Sequence, residues 1–199
     1  MRDYDFIEIG TSNFATCIQS CDDNAIGISI EPISYYLNSL PDKPNVTKIQ
    51  CAISLDDSEG EIDIYYIPEH TIFQYGLPTY LKGCNTVNAP HPLSAEWPQH
   101  IIRETVPKIS LATILVQHNV RRIQYLKIDT EGSDCYILNC LMTYLLTKPK
   151  EYWPKCINYE SNEWSSPQIK AATLNIYLRN GYIAESVDLE TTLVLQSYE

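Results

Sequence analysis

Leu126-Lys127-Ile128-Asp129-Thr130-Glu131-Gly132 is the stretch that decides how this chain is read. Ile123 to Ile128 is β-rich and loosely alternating, which predicts a sheet strand. The strand runs into two carboxylates, Asp129 and Glu131, and then a glycine, which allows a turn or a close backbone approach. A helical pattern begins at Ser133. In an open α/β sheet, ligands bind outside the carboxyl ends of the strands, so Asp129 and Glu131 are candidate site residues. Capping of the following helix is the plain alternative.

Working outward, the same grammar recurs. Asp5 to Ile9 alternates as a first strand and stops at Gly10, with a helix predicted from Asn13 to Ser20. Ala25 to Ile30 is a second strand, closed by Glu31-Pro32, and Ile33 to Leu40 is helical. Val46 to Ile53 is a third strand, and Gly60 to Tyr66 alternates cleanly as an added antiparallel strand. Leu111 to His118 is a helix, Ile123 to Asp129 the fourth parallel strand, and Tyr136 to Leu146 a helix. Cys156 to Tyr159 is a fifth strand ending at Glu160, and Ile169 to Arg179 a helix stopped by Asn180-Gly181. Tyr182 to Val187 and Thr191 to Leu195 close the chain as a strand pair. Their Asp188-Leu189-Glu190 connection is too short for a crossover, so the pair is antiparallel. Strand–helix alternation of this kind predicts an α/β fold, a three-layer α/β/α sandwich with right-handed crossovers.

With 199 residues the chain is expected to form a single domain, 1–199, and 44% hydrophobic residues suffice for a full core. Between about 67 and 107 the periodicity fades. Pro68, Pro78, Pro90, Pro92 and Pro98 punctuate a long irregular insertion, the kind of segment that serves as a lid or binding loop. No apolar run approaches the ~20 residues of a membrane span. Met1-Arg2-Asp3-Tyr4-Asp5 leads directly into a strand without a signal peptide, so the expectation is a cytoplasmic chain. The seven cysteines lack a C-x-x-C pair and read as reduced thiols. Cys17 and Cys21 share a helix face, but no His or Cys cluster joins them in a metal site. A net charge of −11, with 14 Lys and Arg against 25 Asp and Glu, argues against nucleic acid as the partner. The 15 tyrosines offer apolar faces with polar tips, suited to sugars as well as to ordinary cores.

The turn Gly10-Thr11-Ser12-Asn13-Phe14 after Glu8 is not G-x-G-x-x-G, so the dinucleotide fingerprint is missing and a nicotinamide dehydrogenase is disfavoured. An acidic residue two before the glycine suits a ligand bearing an amine. Glu31 follows Gly10 by 21 residues, where an acidic side chain commonly accepts from both ribose hydroxyls. Glu31-Pro32 equally fits a helix start with proline at its first position. Ala52 and Ile53 are small and apolar enough to flank a flat base.

Taken in order, Glu8-x-Gly10, Ile30-Glu31-Pro32, Ala52-Ile53-Ser54 and Leu126-Lys127-Ile128-Asp129-Thr130-Glu131-Gly132 resemble the FkbM family of S-adenosylmethionine-dependent methyltransferases. The apolar helix that follows and the Asn158-Tyr159-Glu160 strand end are also similar, and the resemblance runs from Asp5 to about Leu195. It implies the class I, Rossmann-like methyltransferase fold: a seven-stranded, mostly parallel sheet, order 3-2-1-4-5-7-6, with the last strand antiparallel. It also implies O-methylation of a hydroxyl, most often on a sugar or glycan. On this basis Glu8, Gly10, Thr11, Ser12, Asn13 and Phe14 would hold the methionine part of the cofactor, Glu31 and Pro32 the ribose side, and Ala52 and Ile53 the adenine. Asp129 would face the transferable methyl.

An alcohol is a poor nucleophile and calls for a general base, for which Asp129, Glu131 and His91 are the candidates. Asp129 and Glu131 are alternatively ligands for a divalent, Mg²⁺-type ion. Tyr75, Asn85, His91 and Glu160 are candidate contacts to a small-molecule or glycan acceptor. Trp97, Trp153 and Trp164 would stack on a sugar or serve the core. The resemblance departs at two places. The first loop lacks the family's second glycine. The chain also has almost no helix before its first strand, as in a domain cut from, fused to or working with a glycosyltransferase. The rival from another class is a non-catalytic relative that binds ligand without turnover.

Overall fold

The computed structural model describes residues 1–87, 89–187 and 189–196. Among these residues eleven strands fall into two sheets. The larger contains β1 (Arg2–Ile9), β2 (Gly27–Ile30), β3 (Val46–Ile49), β8 (Val120–Ile128), β9 (Cys156–Glu160), β10 (Tyr182–Val187) and β11 (Glu190–Leu195), in the spatial order β3-β2-β1-β8-β9-β11-β10. β11 runs antiparallel to β9 and β10; the other pairings are parallel. Asp188, between the last two strands, lies outside the described residues. Among the described residues the result is a mixed α/β fold with a seven-stranded sheet and six α-helices.

Strand numbering departs from the expected 3-2-1-4-5-7-6 because the middle of the chain is not irregular. β4 (Ala52–Ile53), β5 (Gly60–Tyr66), β6 (Thr86–Val87) and β7 (Ile102–Ile109) form a second, four-stranded sheet, order β4-β7-β5-β6. Two expectations are corrected here. The third strand, Val46 to Ile53, is broken at Gln50-Cys51, and its second half pairs with β7 instead of continuing beside β2. The insertion supplies β7, eight residues long, which pairs along the whole of β5. Pro107 obscures β7 in the sequence, since proline lacks the donor an interior ladder uses.

The helices are short. The stretch expected to be helical from Asn13 is helix α1 only over Cys17–Ser20, started by a capping box in which the Thr16 side chain accepts from Gln19 N–H. α2 (Ser34–Ser39) and α3 (Glu69–Tyr75) follow. α4 (Leu111–Gln117) is capped by Ser110, α5 spans Asp134–Leu145, and α6 (Pro167–Arg179) is capped by Ser166 with proline at its first position. Ile7, Ile9, Leu126 and Ile128 face a large apolar core with Leu115 of α4, Leu138 of α5 and Tyr177 of α6. Phe6 and Tyr125, on the opposite face, pack with Ile18 of α1 and Leu37 of α2. Each fully buried aliphatic side chain among them contributes roughly 1.5–3 kcal/mol; Tyr125 is half-buried. Among the described residues, no helix is long and apolar enough to cross a membrane.

Register fixes what happens at the carboxyl edge. Ile9 stands opposite both Ile30 and Ile128, and Ile128 opposite Tyr159. The strands therefore stop together, and Gly10, Glu31, Asp129 and Glu160 emerge as a row. Backbone bonds extend the ladders one step: Gly10 N–H donates to Ile30 O (2.9 Å), Asp129 N–H to Ile9 O (3.0 Å) and Glu31 N–H to Ile49 O (3.1 Å).

Candidate active site

Two of the cavities that open at this edge adjoin one another. The first is lined by Gly10, Ser12, Ile30, Glu31, Pro32, Cys51, Leu55, Gly83, Asn85, Asp129, Thr130, Glu131 and Ile137, with Ala52, Ile53, Ile64 and Val87 from the second sheet. The second is more polar: Gly10, Thr11, Ser12, Phe14, Gly83, Asp129, Glu131 and Glu160. Gly10, Ser12, Gly83, Asp129 and Glu131 belong to both, so the cavities meet at one wall. The backbone of that wall is unusual. Gly10 has φ +76°, Ser12 φ +44° and Glu131 φ +50°, left-handed values that are rare outside glycine.

Glu31 is buried. Its carboxylate accepts Ser12 N–H (2.8 Å) and Ile33 N–H (2.9 Å), which fix the first turn and the start of α2. Burial pushes the carboxyl up to about 7, against the pull of these backbone donors. Glu8 is placed differently from the amine-binding expectation. It is buried off the cavity walls, and its carboxylate takes the N–H groups of Cys17 (2.5 Å) and Ile18 (3.1 Å) and the Ser29 hydroxyl (2.6 Å). It anchors the start of α1. Asn13 also points away, its amide donating to Glu69 (3.4 Å).

Asp129, Glu131 and Glu160 each bring one carboxylate oxygen within 4.8 Å of the other two. Such a cluster suits a shared proton or a hard divalent cation. Burial raises the Asp129 carboxyl, opposed by Lys127, whose Nζ lies 3.6 Å from Oδ2. Glu160 is pushed up to about 8, first by burial and then by the charges of Glu131, Asp134 and Asp129. Asp134, which the sequence reading passed over, is buried beneath them. Its Oδ2 accepts from Thr130 N–H (3.1 Å) and hydroxyl (2.7 Å), and its Oδ1 from Glu160 N–H (3.0 Å), tying the ends of β8 and β9 together. Burial raises it to about 6. The available signal was its place, an acid in the first helical turn after an Asp-x-Glu-Gly strand end.

The remaining candidates divide. Asn85 lines the first cavity and donates to Ser12 Oγ (3.2 Å) and Lys82 O (3.0 Å). His91 is brought to the edge but buried behind it: Nδ1 accepts Leu93 N–H (3.1 Å) and Nε2 stands 3.5 Å from Glu131 Oε2. Tyr75 is 57% exposed and lies against His100, off both cavity walls. Trp153 is core, Trp97 packs on the apolar cluster of the insertion, and Trp164 meets the His91 ring edge to face at 4.5 Å. All seven cysteines are free thiols.

A family model described as the methyltransferase FkbM domain matches residues 7–182 of the chain. No curated protein matches it.

Proposed function

The chain belongs to the FkbM methyltransferase family, and from that premise we propose that it transfers the methyl group of S-adenosylmethionine to a hydroxyl oxygen of a sugar or glycan. The observation that carries this reading is the pair of cavities that meet at Gly10, Ser12, Gly83, Asp129 and Glu131. A two-substrate transfer needs such a shared wall, because the reacting atoms must approach in line.

The first cavity fits the donor. Cys51, Ala52, Ile53, Leu55 and Ile137 give it apolar walls suited to an adenine. Glu31 keeps acceptor capacity beyond its two backbone donors, because a carboxylate offers about four lone-pair sites; ribose hydroxyls are the natural donors. The second cavity fits a hydroxyl-rich ring. Asp129, Glu131 and Glu160 accept from hydroxyls, and the half-exposed Phe14 ring offers an apolar face.

The bound donor supplies a methyl on a sulfonium, so transfer to oxygen breaks the carbon–sulfur bond with its electron pair passing to sulfur. The chain's own part is alignment and proton removal. Asp129 and Glu131, on both cavity walls, accept the proton that the hydroxyl loses as its oxygen forms the new bond. A glycosyltransferase that builds the acceptor is the expected working partner.

Calorimetry with S-adenosylhomocysteine, followed by incubation of a glycan and metabolite pool with methyl-labelled S-adenosylmethionine and mass spectrometry, tests the reading. Binding with a labelled methyl ether is expected. Binding without any labelled product would favour a binding domain without turnover, and no binding would overturn the proposal.

A further inference from the structure

His91 has no water-facing surface and no hydrogen-bond partner on Nε2 among the described residues. The nitrogen that accepts Leu93 N–H, Nδ1, cannot also carry a proton. The ring hydrogen therefore sits on Nε2, and the charged group that Nε2 faces is Glu131 Oε2, 3.5 Å away. Trp164 holds the ring edge to face. The same Trp164 presses on the turn beside Glu131: a Cβ on Gly132, at φ +93°, would lie 3.1 Å from its Cβ. His91 of the insertion, the turn at Gly132 and Trp164 thus pack together on one side of Glu131.

The other oxygen of Glu131 looks elsewhere. Oε1 lies 3.5 Å from the point where a Cβ would stand on Gly83, a residue that lines both cavities. His91 itself lines neither, and both of its nitrogens face protein groups. It is badly placed to take a proton from an acceptor.

The geometry points to His91 as the positioning residue for Glu131: its Nε2–H holds Oε2 so that Oε1 is presented at the junction of the two cavities. The 3.5 Å separation is longer than a formed hydrogen bond, and contacts of this kind tighten when substrates complete the site. The catalytic meaning rests on the methyl-transfer reading; the contact itself does not.

The test is long-range ¹H–¹⁵N NMR of the full chain labelled at histidine nitrogen. The His91 ring is identified by its loss in His91→Gln, or, should that variant not fold, by its altered shift in Trp164→Leu. The expected result is a neutral ring with a slowly exchanging proton on Nε2, whose signal moves in Glu131→Ala and stays in Asp129→Asn. A proton on Nδ1, or an Nε2 signal indifferent to Glu131→Ala, overturns the inference. Wild-type affinity for S-adenosylhomocysteine is measured alongside: its absence would sink the methyl-transfer reading and leave the ring result standing.

Discussion

Gly10 and Asp129 meet back to back at the carboxyl edge: a Cβ on Gly10 would stand 1.9 Å from the Asp129 carbonyl oxygen. Gly10 also holds φ +76°. Gly10→Ala thus combines a left-handed backbone penalty of about 1–2 kcal/mol with overpacking of about 1–3 kcal/mol. Urea unfolding should report a loss within the sum of those ranges. A variant as stable as the parent would mean that the two strand ends are not in contact.

Glu31→Ala removes the carboxylate that accepts Ser12 and Ile33 N–H groups on the wall of the first cavity. S-adenosylhomocysteine affinity should fall at least tenfold by calorimetry, about 1.4 kcal/mol. Unchanged affinity would detach Glu31 from the donor.

Asp129→Asn keeps the shape of the shared wall and loses its charge. Donor affinity should stay within a few-fold while turnover with the acceptor found by mass spectrometry drops by about 10²–10⁴. Full turnover would remove Asp129 from the chemistry.

Gly83→Ala is a steric probe without backbone strain, because Gly83 has φ −83°. The new methyl would sit 3.5 Å from Glu131 Oε1 and from Phe14 Cζ, at ordinary contact distance. Stability should move by no more than about 0.5 kcal/mol, while the acceptor KM rises. An unaffected KM would place the acceptor elsewhere.

Two buried carboxyls, Glu31 and Asp134, and the half-buried Glu160 predict an unusual pH response. Glu31, Glu160 and Asp134 are raised to about 7, 8 and 6, chiefly by burial. Each binds its proton more readily folded than unfolded, so the stability it contributes is present below its ordinary value and is lost as pH rises through 6 to 8. The melting temperature should fall between pH 5 and pH 8, at about 2–4 °C per kcal/mol. Glu160→Gln should flatten the slope; a melting temperature that rises over this interval contradicts the assignment.

The strand ends were legible in the sequence because each is a β-rich run stopped by a residue of special chemistry: Gly10, Glu31, Asp129, Glu160. Register does the rest, and register is set by the apolar alternation that marks the strands. The second sheet was hidden for two reasons. β4 is only two residues long, and β7 carries Pro107 on a face pattern that is mostly exposed. Glu8 misled because an acid before a glycine turn looks the same whether it awaits an amine or a helix start. The Thr16-x-x-Gln19 capping box was the visible clue that a helix begins at Cys17 and needs an acceptor beneath it. His91 was recognisable as unusual, but only the fold reveals that Leu93 N–H bonds its Nδ1 while its Nε2 faces Glu131.

The two cavities share five residues and divide the others cleanly: Pro32, Ala52, Ile53 and Ile137 serve the first alone, Thr11, Phe14 and Glu160 the second alone. That partition makes the molecule separable for engineering. On the proposed methyl-transfer reading, libraries confined to Thr11, Phe14 and Glu160 would explore new acceptors with the donor side held constant. Four of the residues in common, Gly10, Ser12, Asp129 and Glu131, held by left-handed backbone or by the Gly10–Asp129 contact, form the part that such a campaign should leave alone.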